Sequence, residues 1–136
     1  ISYTGNNRTH MIRIPDPGRF ELRLMDGSAN PYLLQASVLA AGLDGLKNKI
    51  DPGKPLNCNM YEDYKKYPNL PKLPDELDQS LEKLKNNKDM NNAFGKDTIN
   101  SYIKLRTSEI NEFKQKETFD KTKTITRWER NNTLDC

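Results

Sequence analysis

The sequence predicts an α+β fold, in which an antiparallel β-hairpin or partial sheet packs on a buried helix and a mostly helical C-terminal half follows. Three observations predict it. Two short alternating runs flank a Pro-Gly turn, an apolar stretch of helical length comes next, and later apolar residues recur at helical spacing. The 136 residues fit one domain, which we divide into a strand and core-helix block at 1–53, a proline-rich loop at 54–74 and a helical part at 75–136.

The hairpin is predicted from residues 11–14 and 20–24, where apolar and polar side chains alternate with the period of two that a strand requires. The segment between these runs contains Pro17 followed by Gly18. Proline presets φ and glycine accepts a positive φ, so this pair is typical of a tight turn. A β-hairpin is therefore the natural interpretation of residues 11–24.

The next element is a helix from about Pro31 to Leu46. Asn30 precedes it and can accept hydrogen bonds from free backbone N–H groups, while proline is tolerated in the first turn. Apolar residues lie on nearly every side of this helix, which is typical of a buried helix. We therefore expect it to be the core helix packed on the sheet, with Asp51, Pro52 and Gly53 ending the block in another turn.

The second half of the chain is predicted to be a surface loop followed by helices. Prolines punctuate residues 54–74, and leucines at helical spacing then predict a short helix at 75–86. A longer helix is predicted at 96–115, and the segment 126–129 fits a capping box that starts a last turn of helix. The apolar stripe of the longer helix comprises Ile99, Tyr102, Ile103, Ile110 and Phe113.

Composition and charge exclude several classes of protein. The net charge of +3, from 22 basic and 19 acidic residues, comes without the clustered basic face of a nucleic-acid module. No run of 18 apolar residues predicts a transmembrane helix, and the N-terminus lacks the features of a signal peptide. Cys58 and Cys136 are too few for a disulfide framework and favour free thiols in a reducing compartment. We therefore expect a cytoplasmic protein with no nucleic-acid or membrane partner, and the opening residue, Ile1, suggests a fragment.

The candidate functional residues cluster on the second strand of the hairpin and just before it. Alternation sends the apolar side chains of residues 20, 22 and 24 to one face and the charged side chains of Arg19, Glu21 and Arg23 to the other. Arg8 and Arg13 precede them, so four of the seven arginines lie within sixteen residues. This arrangement places a carboxylate between guanidinium groups on a rigid strand.

Two interpretations of this arginine cluster remain open on the residues alone. A solvent-facing ladder of salt bridges is common and contributes little to stability. A binding site for an anionic substrate is favoured by the fact that the fifteen lysines lie elsewhere in the chain. The arginine fork also binds carboxylate and phosphate in a bidentate manner that lysine cannot match.

An ordered series of motifs occupies the first part of the chain. In chain order they are Asn7-Arg8, Arg13-Ile14-Pro15, Arg19-Phe20-Glu21-Leu22-Arg23, Asp26, Asn30-Pro31-Tyr32-Leu33, residues 40–46 and residues 49–53. This series resembles the C-terminal part of the catalytic domain of bacterial-type glutamine synthetases. The similarity is dense from Asn6 to Gly53, looser over 54–124, and present again near the C-terminus, at 103–106 and 128–136.

The resemblance implies ATP-dependent ligation of glutamate and ammonia to glutamine through γ-glutamyl phosphate, with Mg²⁺ or Mn²⁺ as cofactor. Phosphoryl transfer depends on positioning and charge neutralisation, and oxygen ligands suit both metals. The implied roles are contact with the transferred phosphoryl group for Arg8, contact with the ATP phosphates for Arg13 and Arg19, metal binding for Glu21, and binding of the substrate carboxylate for Arg23.

The chain departs from the family in several places. The hairpin loop at 16–18 is shorter than in many members and lacks their lysine, so the resemblance does not carry the family's nucleotide contacts over to this loop. Tyr61 falls near a tyrosine that some bacterial members have adenylylated, although its neighbours match poorly and a plain loop tyrosine is the alternative. His10, the only histidine, does not match the family's metal ligand. The remaining metal ligands, the nucleotide pocket and the flap lie upstream in the family, so we expect these 136 residues to be inactive alone.

The resemblance also implies a homo-oligomer, because members of the family form large rings whose sites lie between neighbouring subunits. The strands join a larger sheet in such enzymes, so an exposed sheet edge is expected here. Two alternatives stay open. One is a non-catalytic, stand-alone module of the same fold that binds anions or partner proteins. The other is part of a related γ-glutamyl ligase that uses an amine other than ammonia, since the residues that select the amine are not in this chain.

Overall fold

A computed structural model describes residues 1–116 and 125–133 and confirms the α+β class. Three strands form one sheet in the order β1-β2-β3 within these residues. They are β1 (Tyr3–Thr4), β2 (Ile12–Asp16) and β3 (Arg19–Leu22). The predicted hairpin is the antiparallel pair β2 and β3, while the unpredicted β1 lies parallel to β2.

Helices make up most of the remaining described chain, as the sequence predicted. The predicted helices at 31–46, 75–86, 96–115 and after residue 126 are all present, and two further short helices were not anticipated. The complete set within the described residues is α1 (Pro31–Lys47), α2 (Met60–Asp63), a 3₁₀ turn (Tyr64–Lys66), α3 (Leu77–Asn86), α4 (Lys88–Phe94), α5 (Lys96–Lys116) and α6 (Arg127–Asn132).

One compact unit, which we call the strand unit, comprises residues 1–27 and 50–73. Its hairpin turns at Pro17 and Gly18, where Gly18 takes the positive φ of +76° that a side chain would disfavour. The hairpin ladder is irregular between Arg13 and Asp16. The proline-rich segment is tied back to β1 by a 3.0 Å hydrogen bond from the Leu56 N–H to the Tyr3 carbonyl. The predicted loop therefore packs beside the sheet and contains α2 and the 3₁₀ turn.

The second compact unit, which we call the helical unit, comprises residues 28–49 and the described residues from 74 onward. Its core lies between α3 and α5, where Leu81 and Ile99 are 6% and 5% exposed. Phe113 on α5 meets Trp128 on α6 edge to face, with ring centroids 5.6 Å apart. Apolar residues at helical spacing thus produce the packing that the stripe on α5 predicted.

The prediction that the helix at 31–46 is buried is wrong for this chain. α1 begins where expected, with the Asn30 side chain accepting from two backbone N–H groups, but none of its residues is buried. Leu39, Leu43 and Leu46 are 64%, 57% and 78% exposed. A helix that is apolar on all sides needs cover from all sides, and the seven-residue α4 that packs against α1 is too short to provide it.

The apolar face predicted for β3 is also largely open to solvent in this chain. Phe20 is 61% exposed and Leu24 is 40% exposed. Cys58 is a free thiol, as expected, and Cys136 lies outside the described residues. None of the helices within 1–116 and 125–133 is long and apolar enough to cross a membrane.

Candidate functional site

The hairpin gathers three arginines around one carboxylate. Arg13 on β2 lies directly opposite Glu21 on β3, and its Nη1 is 2.7 Å from Glu21 Oε2 and 2.8 Å from Oε1. Arg19, two residues before Glu21 on the same face of β3, places Nη2 at 2.8 Å from Oε1. Arg23 completes the cluster with Nη1 at 3.9 Å from Oε2. The predicted charged face of the strand is therefore present, and both Glu21 oxygens lie against guanidinium groups.

The three arginines differ in how firmly they are held. The Arg13 side chain is only 14% exposed, and its Nε also donates to Asn6 Oδ1 at 2.9 Å, with Nη2 directed to the same oxygen. The side chains of Arg19 and Arg23 are 62% and 35% exposed. Arg13 is therefore fixed on both sides of its fork, while Arg19 and Arg23 keep donors that face solvent.

The cluster keeps Glu21 ionised. The hydrogen bond from Arg13 lowers the pKa of the Glu21 carboxyl below its ordinary value, and the charges of Arg13, Arg19 and Arg23 add to this against a partial opposing effect of desolvation. One negative charge nevertheless faces three positive ones. The cluster carries an excess of positive charge that another anion could neutralise.

Arg8 is not part of this network. It lies in the loop between β1 and β2, it is exposed, and it makes no hydrogen bond or ion pair with any residue in the described parts of the chain. The structure thus brings Arg13, Arg19 and Arg23 together on Glu21 but leaves the Arg8 guanidinium available. Its neighbours Asn7, Thr9 and His10, in contrast, are all hydrogen-bonded.

Two residues that were not predicted as site residues support this site. Asn6 is an acceptor for the Arg13 fork, and the buried His10, at 3% exposure, anchors the loop that carries Arg8. The signal available in the sequence is the polar run from Asn6 to His10 between two strands. It does not identify the partners, because Cys58, whose carbonyl pairs with His10, is 48 residues away.

The residues of this cluster do not make a divalent-metal site by themselves. Within the described residues there is no group of three or more His, Cys, Asp or Glu side chains that could hold a metal ion. Glu21 is the only carboxylate in the cluster, and both its oxygens accept from arginines. Among the described residues, this cluster therefore offers such an ion one carboxylate.

Tyr61, the tyrosine that falls near a modified position of the resembling family, lies on α2. It is 72% exposed, and its backbone N–H donates to the Asn59 side chain at 3.1 Å. Its accessibility is compatible with either a modified tyrosine or a plain surface residue. Regulation at this position stays a prediction.

Comparison with known proteins identifies relatives along nearly the whole chain. The family model described as "Glutamine synthetase, catalytic domain" matches residues 1–131. The glutamine synthetase of Rhizobium meliloti (strain 1021) is 44% identical over 135 residues, which are 99% of this chain and 29% of that protein. The glutamate–methylamine ligase of Methyloversatilis universalis is 37% identical over 139 residues, again 99% of this chain and 29% of that protein.

Two solved structures are also similar to this chain. The ligand-free structure of a protein called GmaS has a TM-score of 0.79 and 41% sequence identity, and the match covers 100% of this chain and 30% of that one. A complex of GmaS with ADP has the same TM-score and identity, with coverage of 99% and 29%. This chain thus spans less than a third of the length of the relatives it matches.

Proposed function

The chain belongs to the family of glutamine synthetase catalytic domains, and from that membership we propose that it supplies the arginine-lined strand of an ATP-dependent ligase. The proposed reaction joins glutamate and ammonia. ATP phosphorylates the side-chain carboxylate of glutamate, and ammonia then displaces phosphate from the γ-glutamyl phosphate to give glutamine. Each species on this path carries carboxylate or phosphate groups, which are the anions that guanidinium forks bind best.

The observation that carries this proposal is the charge imbalance around Glu21. A structural ladder of salt bridges would alternate charges of both signs, whereas here one carboxylate faces the three arginines of the hairpin. Arg8 adds a fourth guanidinium with no acidic partner among the described residues. Preorganised positive charge of this kind stabilises the spread-out negative charge of a phosphoryl group in transfer.

The individual roles that we propose are those that membership of the family implies. We assign Arg8 to the transferred phosphoryl group, and this role is supported by a guanidinium that is exposed and has no hydrogen-bond or ion-pair partner among the described residues. Arg19 and Arg13 serve the ATP phosphates, with Arg13 also fixing Glu21, and Arg23 binds the carboxylate of the glutamate substrate. The similarity to a GmaS complex that contains ADP supports an adenine nucleotide as a ligand of the intact enzyme.

A divalent ion, Mg²⁺ or Mn²⁺, belongs to this proposal with Glu21 as one oxygen ligand. The described residues do not complete a site, and we propose that the other ligands come from the rest of the catalytic domain. Such an ion, when bound, supplies further neutralisation of phosphate charge. We also propose that these residues act within a longer cytoplasmic catalytic domain and a ring-shaped homo-oligomer, and that both units of this chain belong to that one domain. The 136 residues alone are then inactive.

Arginine substitution in the intact enzyme tests the proposal. Arg8→Ala is expected to lower turnover by about 10²-fold or more, as for the loss of a donor to the transition state, with a smaller effect on KM for ATP. The measurement is formation of ADP and glutamine from ATP, glutamate and ammonia. Arg130→Ala, the same change at an exposed arginine on α6, is the matched control and should leave turnover unchanged. Unaltered turnover in Arg8→Ala contradicts the assignment.

A second candidate function is ligation of glutamate to methylamine. It is favoured by the 37% identity to the glutamate–methylamine ligase of Methyloversatilis universalis. Comparing ammonia with methylamine as the amine substrate of the intact enzyme separates the two, because ADP and phosphate form in both cases while the amide product differs. ATP binding with no turnover on either amine would instead favour the non-catalytic module.

A further inference from the structure

The loop that carries Arg8 is fastened to a distant part of the strand unit by a set of hydrogen bonds that we call the loop clasp. It comprises the side chains of Asn7, Thr9 and His10 and the backbone of Cys58 and Met60. Asn7 Nδ2 and His10 Nε2 both lie 2.9 Å from the Cys58 carbonyl oxygen. The Met60 N–H donates to Thr9 Oγ1 at 3.0 Å. Three side chains close to Arg8 thus hold the short segment 58–60, at which α2 begins.

The clasp is closed within the loop as well. Asn7 Oδ1 accepts from both the backbone N–H and the hydroxyl of Thr9, each at 2.9 Å. The Asn7 N–H donates to the Gly5 carbonyl at 2.8 Å. Arg8 thus lies between Asn7 and Thr9, both of which are held by hydrogen bonds. Its Cα position is therefore fixed by its neighbours, although its own side chain has no partner among the described residues.

His10 is the buried centre of this arrangement. It is 3% exposed, and a carbonyl oxygen can only accept, so Nε2 must carry the proton that is given to Cys58. Nδ1 lies 3.0 Å from the Ser2 hydroxyl, which can donate or accept. Both ring nitrogens therefore have a hydrogen-bond partner. A buried polar side chain keeps its hydrogen bonds firmly, because breaking either one would leave a buried polar group without a partner, which costs free energy.

We propose that His10 is a positioning residue for Arg8, which acts through the loop clasp by fixing the loop to the Cys58 carbonyl. This inference rests on the proposed function of Arg8 in phosphoryl transfer. The Arg8 side chain has no hydrogen-bond or ion-pair partner among the described residues, so the direction of its guanidinium depends on the backbone that carries it. A misplacement of about 1 Å in a positioning group can cost about 10²-fold in rate.

Two substitutions of His10 separate bonding from packing. His10→Gln keeps an amide donor for the Cys58 carbonyl and an acceptor for Ser2, whereas His10→Leu fills similar space without either group. In the intact enzyme we expect His10→Leu to lower kcat by about 10-fold or more, with KM for ATP and glutamate changed by less than about twofold. His10→Gln should stay within about threefold of the wild-type kcat.

A double-mutant cycle with Arg8→Ala tests whether His10 acts through Arg8. If it does, His10→Leu in the Arg8→Ala background changes kcat by less than about twofold, because the group being positioned is already gone. If the kcat loss of the double variant instead equals the product of the two single-variant losses, the inference is overturned. Leu81→Ala, a destabilising change in the helical unit and outside the clasp, is the control for a loss of stability alone and should leave kcat of the folded enzyme unchanged.

Hydrogen exchange supplies a readout that does not depend on activity. Thr9→Val removes the hydroxyl that accepts from the Met60 N–H, and both Thr9→Val and His10→Leu should speed exchange of that amide while leaving amides of α5 unchanged. Protection of Met60 that survives in both variants would refute the clasp. A silent Arg8→Ala would instead refute the proposed function and the positioning role with it, whereas a strong Arg8→Ala effect with a silent His10→Leu refutes only the positioning role.

Discussion

Replacing Leu81 by alanine tests where the core of the helical unit lies. Leu81 on α3 and Ile99 on α5 are the hydrophobic residues that the described parts of the chain bury, at 6% and 5% exposure. Leu105 lies on α5 but is 56% exposed. Leu81→Ala and Leu105→Ala are therefore the same chemical deletion at a buried and at an exposed position, and their difference isolates the effect of burial.

The expected size of the loss follows from the carbons removed. Leucine to alanine deletes three carbon groups, each stabilising by about 0.8 kcal/mol when buried, or about 2.4 kcal/mol in total. The cavity left behind adds to this, so we expect Leu81→Ala to lower the free energy of unfolding by about 2.5–4 kcal/mol. At Leu105 more than half of the residue already faces solvent, so the same deletion should cost about 1 kcal/mol or less.

Urea unfolding of the 136-residue chain, followed by the helical circular dichroism signal, measures both losses. The dependence of the free energy on urea must stay the same in the two variants, so that a shifted midpoint reports stability and not a changed denatured state. Equal losses at Leu81 and Leu105, or a loss at Leu81 below about 1 kcal/mol, would refute the assignment of the core to the contact between α3 and α5.

Three further predictions concern the site and one helix end. Because the Arg13 hydrogen bond lowers the pKa of Glu21 below its ordinary value, the stabilisation from this pair is fully present above that ordinary value and is lost as pH falls through the lowered pKa. Glu21→Gln should therefore flatten the acid limb of a plot of thermal midpoint against pH, and an unchanged limb would contradict this. Arg13→Lys should lower the thermal midpoint because lysine cannot replace the guanidinium fork on Glu21. Arg19→Lys should leave the thermal midpoint within error and raise KM for ATP. Equal midpoints in the two variants would contradict the stronger contact of Arg13 with Glu21. Thr126→Ala should cost about 1 kcal/mol of unfolding free energy by removing the capping acceptor, and a loss near zero would argue against that cap.

The sequence predicted the elements whose cause is local. The capping box of α6 is present as expected, with Thr126 Oγ1 accepting from the Glu129 N–H at 3.1 Å and Glu129 Oε2 accepting from the Thr126 N–H at 2.7 Å. The hairpin follows from alternation and one turn. The short helix α4 was missed because its seven residues are too few to show an apolar period, although Asn87 caps it through the Met90 N–H. A two-residue strand such as β1 likewise has no periodicity to detect.

The burial of α1 could not be predicted because hydrophobicity and burial are different properties. The apolar composition of residues 31–46 indicates which side chains would be stabilised by burial. It does not indicate which other surfaces are present to bury them. Leu39 and Leu46 consequently remain exposed. The same limit applies to Phe20 on β3, whose face was correctly separated from the charged one but lacks the cover that was expected.

For the candidate site, the sequence predicted the face and missed the contacts across it. Alternation correctly placed Arg19, Glu21 and Arg23 on one side of β3, because the period of a strand is a local property. The pairing of Arg13 with Glu21 depends on the turn length and on the irregular register between Arg13 and Asp16. The anchoring of His10 depends on a carbonyl 48 residues away, which no local pattern reveals.

These contacts rank the arginines by their availability to a ligand, and the rank sharpens the proposed division of roles. Arg13 has Nη1 on both Glu21 oxygens and Nε on Asn6, so recruiting it would break bonds at 2.7–2.9 Å. Arg19 has one short contact and Arg23 only a 3.9 Å approach, while Arg8 has none in the described chain. An anionic ligand binds most favourably to those guanidinium donors that do not have to break an existing hydrogen bond. Arg8, Arg23 and Arg19 should therefore contribute mainly to binding and turnover, and Arg13 mainly to holding Glu21 where the others can meet the ligand.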